Sequence, residues 1–280
     1  MAIEVQQPYC DAWPLLPRME QNMETILAFE FMRLDKEGKM AWVTFTRERY
    51  LNAMSNAAVV QLNRLAMALR EDPDVRVVVI RGQGRAFCTG IDLKELAADQ
   101  IEMTYHHRWE RALRLFETME KIVVTGMHGY CLGGGLQLAL AGDIRVSTPD
   151  CQIGLPAINE SLVPGMGTLR LPRTIGLGRA KKMILGGKSI DGTEALRIGL
   201  VDHLAGGEDF FAQVDEVAHE YLRACSTGTR MSKLVLNRAF DADYDAILQE
   251  YFALQERALF SADAVEGGRA YLAKREPKWQ

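Results

Sequence analysis

The chain has 280 residues, 48% of them hydrophobic and 25% charged, which is typical of a globular protein with one large domain or one domain and an appendage. Its formal net charge of −4 and its lack of a basic run argue against nucleic-acid binding and favour a small-molecule partner. No segment has the roughly 18 apolar residues that a membrane span needs. The five cysteines do not have metal-ligand spacing, so we expect a reducing, cytoplasmic setting without disulfides or a zinc site.

The first two thirds of the chain alternate predicted strands and helices. Residues 1–25 lack clear periodicity and contain several prolines, so we expect an irregular N-terminal arm. A strand at 41–46 is followed by a helix that Ser55 caps, and a buried strand occupies 75–80. The pattern continues with a helix at 101–120, a strand at 121–124, a helix at 136–141 and a strand at 143–146. This order predicts an α/β fold with a mostly parallel sheet wrapped by helices.

Beyond residue 178 the strand signal fades and helical spacing dominates. The predicted helices there are 179–185, 192–198, 210–224, 231–239 and 244–260. We therefore divide the chain into the arm, an α/β core at 26–200 and a mainly helical region at 201–280. Because amphipathic helices bury only one face when alone, this last region is expected to contact other subunits, and we predict a homo-oligomer.

Two glycine-hinged segments, RAFCTGID at 85–92 and HGYCLGGG at 128–135, follow predicted strands and open helices. Free backbone N–H groups and the helix dipole favour an anion at such places. The N–H groups of Ile91 and Gly134 are therefore candidates for an oxyanion hole, which stabilises an enolate or tetrahedral intermediate without a catalytic side chain. The alternative interpretation is that these glycines serve only turns and close packing.

Seven motifs, taken together and in order, give the chain a resemblance to a known family. They are LNAM at 51–54, EDPDVRVVVIRG at 71–82, AFCTGIDLKE at 86–95, GYCLGGG at 129–135, DI at 143–144, VPG at 163–165 and ALRIGLV at 195–201. As a set they resemble the crotonase (enoyl-CoA hydratase/isomerase) superfamily over residues 27–278. The resemblance implies a crotonase-like spiral core of ββα units, a helical C-terminal trimerisation region, and a trimer or dimer of trimers.

The resemblance also implies the ligand. A coenzyme A thioester would place its carbonyl oxygen between the N–H groups of Ile91 and Gly134. Coenzyme A would thus enter as part of the substrate, with no permanently bound cofactor and no metal. The family positions that hold the bent coenzyme A correspond to Ala53, Ala86 and Thr89, with Lys94 and Arg49 as candidate phosphate partners.

Three positions that carry carboxylates in the resembled enzymes lack them here. Gln137 and Ala157 stand where hydratases have two glutamates, and Gly165 stands where isomerase-like relatives have an aspartate. Each acid or base group contributes about 10²–10⁴-fold, so we expect ordinary hydration to be weak unless another residue substitutes. Gln137 can orient water or substrate but cannot shuttle a proton, and Ala157 would line the substrate site.

Glu160 is the nearest replacement carboxylate along the chain. A three-residue offset returns its side chain to the side of Ala157 if the segment is helical, but not if it is extended. The simpler interpretation is a surface or capping glutamate. His106, His107 and His128 are weaker candidates, since a lone histidine is more often structural.

Three functions remain open at this point. The first is an acyl-CoA enzyme of the hydratase/isomerase type with a relocated base. The second is hydrolysis, C–C cleavage or decarboxylation on the same scaffold, where the oxyanion hole supplies most of the rate. The third is a non-catalytic binder of CoA esters. A dinucleotide-binding fold is disfavoured because the glycines do not form G-x-G-x-x-G directly after a strand.

Overall fold

The computed structural model describes residues 29–241 and 243–280, so the arm predicted at 1–25 lies outside the described residues. The strands are β1 (Met32–Glu37), β2 (Met40–Phe45), β3 (Val77–Gly82), β4 (Ile122–Met127), β5 (Tyr130–Leu132), β6 (Ile144–Ser147), β7 (Gln152–Gly154) and β8 (His203–Leu204). The helices are α1 (Asn56–Glu71), α2 (Leu93–Ala97), α3 (Met103–Thr118), α4 (Gly134–Ala141), α5 (Gly167–Ile175), α6 (Leu177–Gly186), α7 (Gly192–Arg197), α8 (Phe210–Ala224), α9 (Thr227–Leu236), α10 (Tyr244–Leu259) and α11 (Ala262–Ala273).

The main sheet has six strands in the order β1-β2-β3-β4-β6-β8. Strand β1 pairs with β2 in antiparallel register, and every other neighbouring pair is parallel. All of β4 and nearly all of β3 are buried, as expected for parallel strands covered on both faces. The predicted α/β fold is confirmed. Strand β8 lies in the region beyond residue 178 where the strand signal fades, because a two-residue strand is too short to show a period.

A second, smaller layer of strands explains the spiral. Strand β5 pairs in parallel with β7, and Cys88 forms a parallel bridge to Cys131 of β5. After each of β3, β4 and β6, the chain therefore adds a short segment to this second layer before it continues into helices. This repeated step is the ββα unit that the sequence resemblance implies.

Helices cover both faces of the main sheet. On one face α1 buries a stripe of aliphatic side chains, and the hydroxyl of Ser55 caps this helix by accepting a hydrogen bond of 3.2 Å from the N–H of Ala58. On the other face α8 packs so closely that a Cβ on Gly126 of β4 would lie 3.0 Å from the side chain of Val214. Helix α8 lies in the region 201–280, but it packs on the main sheet and is thus part of the core.

Helices α9 to α11 form the C-terminal part of the chain. Helix α9 is fastened to the core by the buried Lys233, whose ammonium donates hydrogen bonds of 3.0 Å and 2.7 Å to the carbonyls of Phe116 and Lys121 and pairs with Asp143 at 2.8 Å. Large apolar side chains are exposed on and around these helices: Leu236, Phe240, Tyr244, Phe260 and Tyr271. Within residues 29–241 and 243–280, no helix is long and apolar enough to cross a membrane.

Candidate active site

A cavity of about 510 Å³ opens where the two glycine-hinged segments meet α3 and the loop after β7. Apolar side chains and backbone make up much of its wall, and a few polar side chains converge on it, as in typical small-molecule sites. The lining residues that matter below are Tyr50, Ala53, Thr89, Ile91, Asp92, Lys94, Tyr105, His106, Trp109, Glu110, Gly134, Gln137, Ala157, Glu160 and Gly165.

The N–H of Ile91 is oriented by a parallel bridge to Met54. Met54 donates its N–H to the carbonyl of Gly90 at 2.7 Å and accepts the N–H of Asp92 at 3.1 Å. Because successive N–H groups of an extended chain point to opposite sides, the N–H of Ile91 points away from Met54. Ile91 itself lines the cavity, so this N–H is a candidate donor there.

The second N–H belongs to Gly134, the first residue of α4. The first N–H groups of a helix have no partner within the helix, and the positive end of the helix dipole lies at the same place. Gly90 has a φ of +86°, and a Cβ there would lie 2.5 Å from the nitrogen of Gly134. The two glycines therefore let the segment that carries Ile91 pack directly on the start of α4.

Backbone pairing in the second layer of strands holds the segment that carries Ile91 close to the start of α4. Cys88 donates its N–H to the carbonyl of Tyr130 at 3.1 Å and accepts the N–H of Leu132 at 3.0 Å. Gly135 must lack a side chain because a Cβ would lie 2.1 Å from the carbonyl oxygen of Cys88. Two N–H groups from neighbouring segments can thus converge on one anionic oxygen, which is the chemistry of an oxyanion hole.

Gln137 lies on α4 and is buried, with 7% of its surface exposed. Its Oε1 accepts a hydrogen bond of 3.3 Å from Nε1 of Trp109 on α3. Since an indole N–H can only donate, this bond fixes which end of the amide is oxygen and leaves the NH₂ group for other partners. Gln137 can therefore orient a water or an acyl group.

Ala157 and Glu160 line the cavity from a 3₁₀ turn, Ala157–Glu160. Residues three apart are eclipsed in a 3₁₀ helix, so these two side chains lie on the same side. The geometric condition for Glu160 to replace a carboxylate at position 157 is therefore met. Its side chain is exposed at the rim, and its catalytic role stays a prediction.

Glu110, which the sequence analysis missed, also lines the cavity. Its Oε1 accepts the N–H of Met166 at 3.0 Å, and its Oε2 pairs with Arg170 at 2.9 Å. A Cβ on Gly165 would lie 2.7 Å from Oε1 of Gln137 and 2.9 Å from Oε1 of Glu110. The helical spacing of α3 held a usable signal, because Glu110 follows His106 by four residues and hence shares its face.

A family model described as Enoyl-CoA hydratase/isomerase matches residues 35–280. The chain belongs to the enoyl-CoA hydratase/isomerase family. It is 31% identical to a crotonyl-CoA hydratase of Syntrophomonas wolfei, over 89% of this chain and 98% of that one. It is 30% identical to a short-chain-enoyl-CoA hydratase of Clostridium acetobutylicum, over 87% of this chain and 95% of that one.

Solved structures agree with this assignment. An enoyl-CoA hydratase from Bacillus anthracis superposes with a TM-score of 0.82 at 29% identity, covering 89% of this chain and 99% of that one. DspI of Pseudomonas aeruginosa gives a TM-score of 0.84 at 28% identity, covering 92% and 100% of the two chains. The crotonase superfamily and fold predicted from the motifs are confirmed.

The candidate coenzyme A contacts of this family member are mostly at the cavity. Ala53, Thr89 and Lys94 line it, and the ammonium of Lys94 lies 5.1 Å from the ring centroid of Tyr50. Ala86 lies outside the lining: it is fully buried, and its carbonyl accepts a hydrogen bond of 2.8 Å from Nδ2 of Asn52. The structure therefore gives the side chain of Ala86 a packing role at this position.

Two ionisable lining residues are already engaged in the fold. Burial alone would raise the pKa of Asp92, but the hydrogen bond and charge of Arg47 and the capped N–H groups of α2 hold the pKa below its usual 3.8. Burial raises the pKa of Tyr105 far above its usual range, and its hydroxyl donates a hydrogen bond of 3.0 Å to the carbonyl of Met54. Both groups hold the wall of the site together.

The histidines divide between the site and the scaffold. His106 lines the cavity, and burial lowers its pKa and thus disfavours the charged ring. His107 and His128 lie outside the lining, and the ring of His128 packs against Phe210 and Phe211. Within the part of the chain that the structure describes, no group of three or more His, Cys, Asp or Glu residues could hold a metal ion.

Proposed function

We propose that this protein acts on unsaturated acyl-CoA thioesters and stabilises a thioester enolate between the N–H groups of Ile91 and Gly134. The observation that supports the proposal is the contact of Gly90 with the start of α4, because Ile91 and Gly134 on either side of this contact both line the cavity. One such donor contributes about 2.7–4 kcal/mol to transition-state stabilisation. The named relatives, which are hydratases of enoyl-CoA thioesters, support the same substrate class.

The walls of the cavity suggest how the thioester lies. The apolar and buried end, with Trp109 and Gln137, suits the acyl group, whereas the exposed Lys94 at the open end suits the phosphates of coenzyme A. Negative charge then develops on the thioester oxygen during reaction, where the two N–H groups stabilise it more strongly than in the ground state. Coenzyme A is thus the part of the substrate that anchors it to the protein, and it does not take part in the reaction.

We also propose that the protein assembles as a homotrimer or a dimer of trimers through its C-terminal helices. The exposed apolar side chains there support this, since Phe240, Tyr244 and Tyr271 are 74%, 77% and 84% exposed in a single chain. Light scattering during gel filtration measures the mass directly against the 31.4 kDa of one chain. A monomer at micromolar concentration would contradict this part of the proposal.

The activity is tested with a panel of thioesters. Purified protein is incubated with crotonyl-CoA, a 3-enoyl-CoA and a malonyl-type CoA, and mass spectrometry follows each product. Exchange of the α-protons of butyryl-CoA in D₂O reports enolate formation separately from any complete reaction. We expect exchange together with hydration or double-bond migration. Turnover of malonyl-type or hydrolysable thioesters alone would favour the second class of function, and tight binding without exchange or turnover would refute the proposal.

A further inference from the structure

We propose that Glu110 is the proton-transferring residue of this site: together with Gln137 it holds the reacting water, accepts its proton and delivers it to the α-carbon. The inference rests on the proposed enolate chemistry and assigns the base that this chemistry needs. It concerns a side chain on α3, which is separate in the chain from the three family positions that lack carboxylates here.

The other ionisable groups at the cavity are engaged in structure or lie at its opening. The carboxylate of Asp92 is bound by Arg47 at 2.9 Å and caps α2, and the hydroxyl of Tyr105 is bound to a carbonyl. Lys94 is exposed and lies against Tyr50. Glu110 is bound by an arginine and an N–H group in the same way as Asp92, so its position distinguishes it: Oε1 of Gln137 and Oε1 of Glu110 are the polar atoms nearest to a Cβ built on Gly165.

Glu160 and His106 are the two remaining competitors. Glu160 is exposed at the rim, and no partner within the described chain fixes its side chain. Holding it in one conformation would therefore cost side-chain conformational entropy. His106 is half-buried on the same face of α3 as Glu110. A catalytic group needs a fixed position, because small displacements strongly reduce the rate.

Glu110 is fixed from two sides. Its side chain is 26% exposed, Arg170 binds its Oε2 at 2.9 Å, and the N–H of Met166 binds its Oε1 at 3.0 Å. Arg170 is itself 9% exposed in its side chain and also binds Glu117 at 3.2 Å. Glu117 has a second partner in Arg114 at 3.0 Å, so two guanidinium groups balance the two carboxylates, and Arg170 fixes Glu110 at the cavity end of this cluster.

Gly165 shows that the carboxylate and the amide of Gln137 share one small space. Any side chain at this position would lie within 3 Å of both Oε1 atoms, at 2.7 Å from Gln137 and 2.9 Å from Glu110. Gly165 also has a φ of +46°, which disfavours other residues. The absence of a Cβ leaves room for Glu110 to reach the amide of Gln137 from the neighbouring helix.

The proposed step balances without any further reagent. As the water oxygen bonds to the β-carbon, the carboxylate of Glu110 accepts one water proton. The electrons of the double bond move to the thioester oxygen, where the N–H groups of Ile91 and Gly134 hold the enolate. The carboxylic acid then returns its proton to the α-carbon, the carbonyl forms again, and one molecule of water has been added.

Glu110→Gln is tested against Glu117→Gln, which removes the other carboxylate of the same Arg170 but does not line the cavity. We expect Glu110→Gln to lower kcat by about 10²–10⁴-fold with little change in KM, and Glu117→Gln to stay within about threefold. Glu110→Asp, which keeps the acid, should recover part of the lost rate. Circular dichroism and thermal unfolding verify that both glutamine variants are folded.

The outcomes separate this inference from the proposed function. If wild-type protein neither turns over nor exchanges the α-protons of any thioester, the proposed function fails. If wild type is active and Glu110→Gln keeps its kcat, or Glu117→Gln loses as much, the assignment of Glu110 is overturned. A collapse of kcat in Glu160→Gln or His106→Gln, with Glu110→Gln unaffected, would overturn it in favour of that residue.

Discussion

Replacing Gly90 by alanine directly perturbs the proposed oxyanion hole without touching any titratable group. The new Cβ would lie 2.5 Å from the nitrogen of Gly134 and 3.0 Å from the carbonyl oxygen of Leu132. Both neighbours are backbone atoms, so the two segments must move apart. The N–H groups of Ile91 and Gly134 then no longer converge on one point.

Two separate losses are expected for Gly90→Ala, one in kcat and one in folding free energy. The loss of one oxyanion donor corresponds to about 2.7–4 kcal/mol in the transition state, or about 10²–10³ in kcat. The backbone at Gly90 has a φ of +86°, where a side chain costs about 1–2 kcal/mol of folding free energy. The displacement of the two backbone segments adds to this folding cost, so the rate is compared only for folded protein.

Gly199→Ala is the matched control for this experiment. Gly199 has a φ of +78°, and a Cβ there meets no atom of the described chain within 4 Å. It should lose about 1–2 kcal/mol of unfolding free energy, as measured in urea, because the backbone strain is similar. Its rate of α-proton exchange from butyryl-CoA in D₂O should match that of wild type.

The reasoning is refuted if folded Gly90→Ala protein exchanges α-protons at a rate within about threefold of wild type, since a displaced donor cannot leave the barrier unchanged. It is equally refuted if Gly199→Ala loses activity as strongly. In that case backbone strain anywhere in the chain, rather than the contact with Gly134, would control the rate.

Two further predictions concern the scaffold. Lys233→Met removes a buried ammonium, and the half-buried carboxylate of Asp143 loses its partner at 2.8 Å together with the donor to the carbonyls of Phe116 and Lys121. The unfolding free energy in urea should therefore fall by about 3–5 kcal/mol. A loss below about 1 kcal/mol would mean that the pair is solvated. Because the pKa of Asp92 in the folded state lies below 3.8, its contribution to stability is present above that pH and is lost as the pH falls through the lowered pKa. The difference in unfolding free energy between wild type and Asp92→Asn should thus be constant at pH 5–7 and shrink below about pH 4. A difference that does not shrink at all below pH 4 would contradict the assignment to Asp92.

The sequence by itself determined the class of the fold and many of its regular elements, although not β1, α5 or α11. Long buried strands such as β3 and β4 carry continuous apolar runs, and α1 shows both its apolar period and its cap at Ser55. The short strands β5, β7 and β8 were missed, because two or three residues show no period. Their pairing depends on segments far apart in the chain, as with Cys88 and Cys131.

Some residues of the site could be predicted from the sequence, whereas others could be found only from the tertiary structure. Glycines at positions 90 and 134 are visible in the sequence because backbone contacts require them whatever the surrounding side chains are. Only the tertiary structure brought Glu110 into the cavity, since its neighbours Met166 and Arg170 are 56 and 60 residues away in the chain. Local sequence encodes backbone conformation, whereas the meeting of a side chain on α3 with Gln137 and Gly165 depends on how helices pack across the sheet.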